Sequence, residues 1–394
     1  MKQKRTSGKW LQRVATVTLC TALSFNALAA SEPIKVGLVA ALSGQSAKSG
    51  EALTRGLTIA INEINAAGGV KGRPLELVRR DDESNPGKGM LAARELIQRE
   101  KVTVLFGGLD TPVSLAIVPL TNQLKTPFMG IWAAGTGITH NGAKDNYAFR
   151  VSAVDEMVDE ALVNYGVTHA GMKKPGMILV NNPWGESNEK GFRAALTRRQ
   201  IPVAGVERIE ESDVDIVPQL TRLKSAGTDT LLMVGNVGPS AQVVKSLHKM
   251  GWQVPVVSHW GPAGGRFSEL AGPGADRVTF IQTFLFTDHN TPKGETVLSA
   301  LKKQYPQIKT LADVTPAVGI ANAYDAMHLA ALAMAKADDL NGKSVRDGFY
   351  KIDDYDGLIK HYQHPFTPQQ HDALGAKDYV FAHFIGEQIV PANP

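Results

Sequence analysis

The sequence is poor in cysteine, in long apolar runs and in clustered metal ligands. Its only cysteine, Cys20, lies in the N-terminal segment, so the rest of the chain can form neither a disulfide nor a thiolate metal site. No group of His, Asp and Glu has metal-ligand spacing, and we expect neither a metal nor another cofactor. After residue 30 no apolar run is long enough to cross a bilayer, so we expect no direct insertion into a membrane.

Residues 1–29 predict an export signal. Five basic residues and no acid accompany the apolar stretch Val14–Leu28, which is too short and too interrupted to span a bilayer. Ala27-Leu28-Ala29 then supplies the small residues at which signal peptidase cleaves. A buried N-terminal helix is the alternative. A lipoprotein signal is disfavoured because Leu19, and not a small residue, precedes Cys20.

The charge balance argues against a nucleic-acid partner. Removing residues 1–29 takes away five of the 42 basic residues and none of the 38 acidic ones, so the formal charge changes from +4 to −1. The basic isoelectric point therefore belongs to the signal, and no nucleic-acid surface is expected. The roughly 365 remaining residues exceed what one core usually serves, which favours two domains.

Short apolar runs alternate with helical periodicity along the chain. Ile34–Leu42 is almost continuously apolar, as in a parallel strand covered on both faces. Between residues 53 and 64 the apolar positions recur at helical spacing, and the same alternation restarts after about residue 150. A long alanine-rich helix is expected at 314–337 and an antiparallel hairpin at 379–390. The pattern predicts an α/β fold with two doubly wound parallel sheets.

The residues that follow each predicted strand are the candidate ligand contacts, because ligands bind beyond the carboxyl ends of parallel strands. These segments are rich in small, hydroxylated, amide and aromatic side chains. The first unit offers 43–46, 108–112 and 132–136, and the second offers 181–185, 235–238 and 259–261. Each precedes a helical pattern whose free backbone N–H groups can face an anion.

Several of these residues have two readings. Three of the four tryptophans beyond the signal follow predicted strands: Trp132, Trp184 and Trp260. Together they favour an aromatic pocket, although each could instead pack the base of a loop against the sheet. His259 is either a pocket residue or a satisfied loop histidine. Asp110 is either the partner of a positive ligand group or the cap of a helix that begins before Pro112. Thr111 and Ser114 are either caps or donors to a carboxylate.

A family resemblance accompanies this pattern. The run IKVGLVAALSGQSAKSGEALTRGLTIAINEINAAGGVKGRPLELVRRDDESNP resembles the start of periplasmic leucine/isoleucine/valine-type binding proteins of ABC transporters. Later segments also match: LFGGLDTPVSLAIVPL, NPWGES, VGNVGPSAQVVKSLHKMGW and YDGLIKHYQHPFTPQQHD. The resemblance covers nearly all of residues 33–394. It implies a type I periplasmic-binding-protein fold with two lobes and three crossovers near 150, 282 and 354. Lobe 1 would comprise 33–149 plus 283–353, and lobe 2 would comprise 150–282 plus 354–394.

The resemblance also implies ligand contacts. Leu109, Asp110 and Thr111 match the first-lobe loop that holds the ligand carboxylate. Ala133–Gly135 matches a second contact loop, from which the threonine of the family is missing. Trp184 matches an aromatic that covers the ligand. With the strand-end residues, the expected ligand-binding set is Ser43, Leu109, Asp110, Thr111, Trp132, Ala133, Ala134, Gly135, Trp184, Asn236, His259 and Trp260.

The sharpest departure from the family lies at His259-Trp260. Amino-acid binders place a glutamate there to pair with the ligand ammonium, but this chain has no acid between Val254 and Arg266. A desolvated ammonium without a partner costs several kcal/mol. An α-amino acid is therefore disfavoured unless Asp110 substitutes from the opposite lobe. We expect a solute with a carboxylate or amide head and an apolar body, aromatic or branched.

The leading interpretation is a periplasmic substrate-binding component that delivers a small solute to ABC permease subunits by hinge closure. The alternative is a periplasmic sensor domain that feeds a membrane signalling partner. An enzyme is disfavoured, because the glycines after the first strand do not form G-x-G-x-x-G. P-loop, H-E-x-x-H and G-x-S-x-G motifs are also missing from the sequence.

Overall fold

Two sheets organise the chain in a computed structural model that describes residues 32–392. The export signal predicted at 1–29 lies outside the described residues. The first sheet is wholly parallel, with the order β2-β1-β3-β4-β5. Its strands are β1 (Ile34–Ala40), β2 (Leu75–Asp81), β3 (Leu105–Gly107), β4 (Phe128–Gly130) and β5 (Ala148–Arg150). The helices between them are α1 (Ala47–Ala66), α2 (Pro86–Gln98) and α3 (Thr111–Leu124).

The second sheet repeats the strand–helix alternation. It has the order β14-β13-β10-β9-β8-β6-β7, in which all pairs except those of β13 are parallel. The helices are α4 (Asp155–His169), α5 (Pro183–Arg198), α6 (Val217–Ser225), α7 (Val237–Lys249) and α8 (Phe267–Ala271). The parallel strands are β6 (Gly176–Val180), β7 (Gly205–Ile209), β8 (Leu231–Val234), β9 (Val256–Ser258) and β10 (Val278–Gln282).

After β10 the chain returns to the helices of the first sheet. The returning helices are α9 (Pro292–Gln304), α10 (Ala317–Lys336) and α11 (Gly342–Phe349). Helix α10 packs along α1, and the alanine-rich sequence predicted at 314–337 permits this close approach. We call the first sheet with α1–α3 and α9–α11 the first lobe, and the second sheet with α4–α8 the second lobe.

The last four strands form two hairpins. Strands β11 (Asp354–Asp356) and β12 (His361–Gln363) pair only with each other, whereas β13 (Val380–Ile385) and β14 (Gln388–Pro391) extend the second sheet beside β10. The antiparallel hairpin predicted at 379–390 is thus confirmed, as is the α/β class with two parallel sheets. No helix within residues 32–392 combines the length and the apolar character needed to cross a membrane.

Residues 354–374 contact the first lobe, although the third crossover was expected near residue 354. The backbone N–H groups of Leu358 and Ile359 donate to Asp325 of α10, and Asp372 bridges to Arg150 at the end of β5. These contacts hold 354–374 against the first lobe. We therefore propose that the third crossover spans 375–379, while 150 and 282 stay the predicted positions of the first two.

Candidate functional site

A cavity of about 370 Å³ opens between the two lobes at the carboxyl ends of their strands. The first lobe contributes residues that follow β1, β2 and β3, and the second contributes residues that follow β6, β7 and β8. We call it the acidic cavity, and its lining is Ser43, Gly44, Gln45, Ser46, Glu83, Ser84, Asp110, Pro112, Asn182, Glu211 and Asn236. Its position agrees with the rule that located the candidate contacts in the sequence.

The two lobes touch around this cavity through hydrogen bonds. The Ser49 hydroxyl donates to the Gly264 carbonyl at 2.8 Å, and the Thr136 N–H donates to the Ser187 hydroxyl at 3.3 Å. Asn236 Nδ2 donates to Asp110 Oδ1 at 3.3 Å inside the cavity. Each bond joins a first-lobe residue to a second-lobe residue, so the described arrangement is a closed one.

Asp110 and Asn236 occupy N-cap positions of α3 and α7 without capping them. Neither side chain hydrogen-bonds its own helix, and both turn toward the opposite lobe. Asn182, at the N-cap of α5, does cap: its Oδ1 accepts from the N–H groups of Trp184 and Gly185. The Asp110 side chain therefore does not cap α3, as one of its two sequence interpretations had proposed.

Three carboxyl groups meet at the acidic cavity. Burial raises the pKa of Asp110, although Ser84 and Asn236 favour its ionised form. Burial and the neighbouring Asp110 raise the pKa of Glu211 to about 7, and the same two causes raise that of Asp82 to about 7. Asp82 is fully buried behind the cavity, whereas Glu211 lies at its mouth. The cavity is thus an acidic environment in which negative charge is only partly compensated.

An aromatic cluster lies between the lobes beside the cavity. The rings of Trp132, from the first lobe, and Trp260, from the second, have centroids 5.6 Å apart. His259 Nδ1 accepts from the Trp260 N–H, so the neutral ring carries its proton on Nε2 and donates to Asp155 Oδ1 at 3.1 Å. Trp184 Nε1 donates to the same oxygen at 3.2 Å. The polar edges of Trp184 and His259 are therefore satisfied within the protein.

The expected contact residues divide into three groups. Ser43, Asp110 and Asn236 line the acidic cavity, while Trp132, Trp184, His259 and Trp260 form the aromatic cluster. The first-lobe contact loops are joined, because the Thr111 hydroxyl accepts from the Gly135 N–H at 3.2 Å. The remaining members are buried beside them: Leu109, Ala133 and Ala134. The ligand-contact roles of all twelve residues stay predictions.

Sequence reasoning missed Ser84, Glu211, Asp82 and Asp155. Ser84 and Glu211 could have been found from the sequence, because they follow β2 and β7 as closely as the expected contacts follow other strands. Asp82 and Asp155 gave no local signal, since their partners come from distant parts of the chain.

Replacing Asn182 by alanine is expected to lower the free energy of unfolding by about 1 kcal/mol, because it removes an N-cap. The matched variant is Asn236→Ala, which removes the same amide from a position where no capping bond exists. Urea unfolding of both variants at neutral pH measures the difference. A loss for Asn236→Ala as large as that for Asn182→Ala would contradict the distinction between capping and cavity-facing amides.

Comparisons with known proteins agree with this architecture. A family model described as periplasmic binding protein matches residues 33–382. Leu/Ile/Val-binding protein homolog 3 of Brucella melitensis is 25% identical over 292 residues, which are 74% of this chain and 78% of that protein.

Two solved structures show the same fold. The substrate binding protein LivJ of Streptococcus pneumoniae in complex with isoleucine superposes with a TM-score of 0.78 at 22% identity, covering 92% of this chain and all of that one. A solute binding protein of an R. palustris ABC transporter in complex with 4-hydroxybenzoate gives 0.76 at 21% identity, covering 92% and 96%. The family model matches residues 33–382 of the present chain, and the two sheets and the interlobe cavity of this chain agree with that match. The chain therefore belongs to the periplasmic binding protein family.

Proposed function

We propose that this protein is the periplasmic solute-binding component of an ABC importer. The observation that carries the proposal is a cavity whose lining comes from strand ends of both lobes, so a bound solute contacts both. Such a solute favours the closed arrangement because only that arrangement supplies all of its contacts. Permease subunits in the inner membrane would receive the solute from the closed form.

The solute class is a small organic molecule. Relatives are named for leucine, isoleucine and valine, and similar folds hold isoleucine or 4-hydroxybenzoate. None of these relatives is named as an enzyme or a sensor. A carboxylate or amide head with a branched or aromatic body fits the helix N-termini and aromatic side chains at the cleft.

Thermal unfolding of the protein purified after export tests the proposal. The panel contains leucine, isoleucine, benzoate, 4-hydroxybenzoate, benzamide and benzamidine. We expect at least one class to raise the melting temperature, since a ligand at 100 times its Kd adds about 2.7 kcal/mol. Mass spectrometry should recover that compound unchanged. Failure of every class to stabilise the protein, or chemical turnover of the compound, would contradict the proposal.

A further inference from the structure

We propose that the acidic cavity binds a positively charged nitrogen group of the transported solute, with Asp110 and Glu211 as its counter-charges from opposite lobes. The group is an ammonium, amidinium or guanidinium. This inference rests on the proposed function and deepens it by naming the substrate class.

Carboxyl groups from both lobes converge on one amide. Asn236 Nδ2 donates to Asp110 Oδ1 at 3.3 Å and to Glu211 Oε1 at 3.1 Å. Asp82 lies directly behind Asp110. No lysine, arginine or histidine within residues 32–392 forms an ion pair with any of these three carboxyl groups. A cation from outside the protein would relieve their mutual repulsion.

One carboxylate oxygen in the acidic cavity has no hydrogen-bond partner. Asp110 Oδ2 is buried and accepts no hydrogen bond, although the carboxyl lines a cavity. Buried polar atoms in native proteins almost always have partners, so an atom of this kind calls for a specific explanation. A nitrogen donor on a solute supplies the missing bond. It also explains why Asp110 turns away from the helix that it could cap.

The occupant is organic, not a metal ion. Within the described part of the chain no three His, Cys, Asp or Glu residues are arranged to hold a metal. The cavity volume of about 370 Å³ also exceeds what a single ion fills and lies in the range of small-molecule sites. Hydroxyl groups of Ser43 and Ser84 line the rest of the space and can accept further N–H bonds.

The same charges discriminate among solutes. A simple aromatic acid would bring a carboxylate toward Asp110 and Glu211, which adds repulsion without filling the orphaned acceptor. A solute with both a cationic nitrogen and an apolar body can satisfy the acids without adding that repulsion. Asp110 and Glu211 therefore take the role of the glutamate that is missing near Trp260.

Affinity for a permanent cation should rise with pH. Because the pKa values of Glu211 and Asp82 are raised to about 7, these two groups gain their negative charge only as the pH approaches and passes 7. Three further acids lie near these groups and add to the negative charge at the cavity: Asp81, Glu83 and Glu210. Lys88 forms an ion pair with Glu83 alone among them. A neutral analogue should bind without this dependence.

The experiment compares probes that differ in charge but not in shape. The pairs are benzamidine with benzamide and isoleucine with 3-methylpentanoate, titrated calorimetrically into the exported protein. In at least one pair we expect the member that carries the cationic nitrogen to bind at least about tenfold tighter. Asp110→Asn and Glu211→Gln should each remove most of that preference and flatten its pH dependence. Asp276→Asn, an exposed acid at the opposite end of β10, is the control and should change nothing.

The outcomes separate this inference from the proposed function. If an uncharged or anionic solute binds tightly while both cationic probes fail, the importer proposal stands and the cationic site is wrong. The inference also fails if the two cavity variants bind the cationic probes as the wild type does. If no solute of any class binds, the proposed function itself fails. Melting curves of the variants without solute show whether each still folds.

Discussion

Replacing Asp372 by asparagine is expected to lower the free energy of unfolding by about 3–5 kcal/mol. Its carboxylate accepts from Arg150 Nε at 2.6 Å, and both side chains are completely buried. Removing only the negative charge leaves the guanidinium desolvated without a counter-charge, which costs far more than losing a surface ion pair. Urea unfolding at neutral pH measures the loss.

The pair also ties two connections between the lobes together. Arg150, at the end of β5, donates to the Gly135 carbonyl at 2.9 Å and to the Thr139 hydroxyl at 2.8 Å. The Arg150 backbone N–H donates to the His371 carbonyl and its carbonyl accepts from the Ala373 N–H, so the segment around Asp372 is fixed to the end of β5. The control is Glu207→Gln, which breaks the partly exposed pair with Arg222 and should cost no more than about 1 kcal/mol. Equal losses for the two variants would contradict the argument.

Acid should distinguish the same variant from the wild type. Burial alone would raise the pKa of Asp372, but Arg150, His140 and Thr139 together hold it well below its ordinary value of 3.8. A carboxyl whose pKa is depressed on folding stabilises the folded state at pH values above its ordinary pKa. That contribution to stability is lost as the pH falls from the ordinary pKa toward the depressed one. Between about pH 5 and about pH 3 the wild type should therefore lose more stability than Asp372→Asn does.

The alternation of strands and helices in two units followed from periodicity, but the packing of residues 354–374 against the first lobe did not. Tyr355–Leu358 has the pattern of a strand, and the family resemblance placed the third crossover near residue 354. In the structure β11 pairs only with β12, and Asp325 in α10 accepts from two backbone N–H groups of this hairpin. The single carboxylate of α10 was the available signal, yet its partner lies more than thirty residues away. Long-range polar pairs of this kind leave no local periodicity.

In the candidate site, too, local patterns located some residues, while contacts between distant parts of the chain were not predicted. Strand-end reasoning found Ser43, Asp110 and Asn236, because the carboxyl ends of parallel strands share one edge of a sheet. It did not find the link from Asp155 to His259, whose side chains meet across 104 positions of sequence. It also treated the tryptophans as equal ligand contacts, whereas two indole rings face each other across the lobes. Which strand ends face the opposite lobe depends on closure, and closure is a tertiary property.

The second large effect concerns that pair of indoles. Trp260→Ala is expected to lower the free energy of unfolding by about 3–5 kcal/mol, because the ring is 1% exposed and its removal leaves a cavity between the lobes. A double-mutant cycle with Trp132→Ala isolates the contact itself, for which about 0.5–1.5 kcal/mol of coupling is expected. Trp252→Ala is the control, since that ring is only partly buried and lies outside the cleft.

Binding measurements give this prediction a functional meaning. Trp132 and Trp260 contact each other across the lobes in this closed arrangement, and we expect that contact to be lost when the lobes open. Removing either ring lowers the population of the closed arrangement, and the apparent affinity for any solute falls by the same factor. Both variants should therefore weaken binding of cationic and neutral solutes alike, unlike Asp110→Asn, which should act on the cationic ones. Unchanged affinity in Trp132→Ala would show that the indole contact contributes to folding but not to closure.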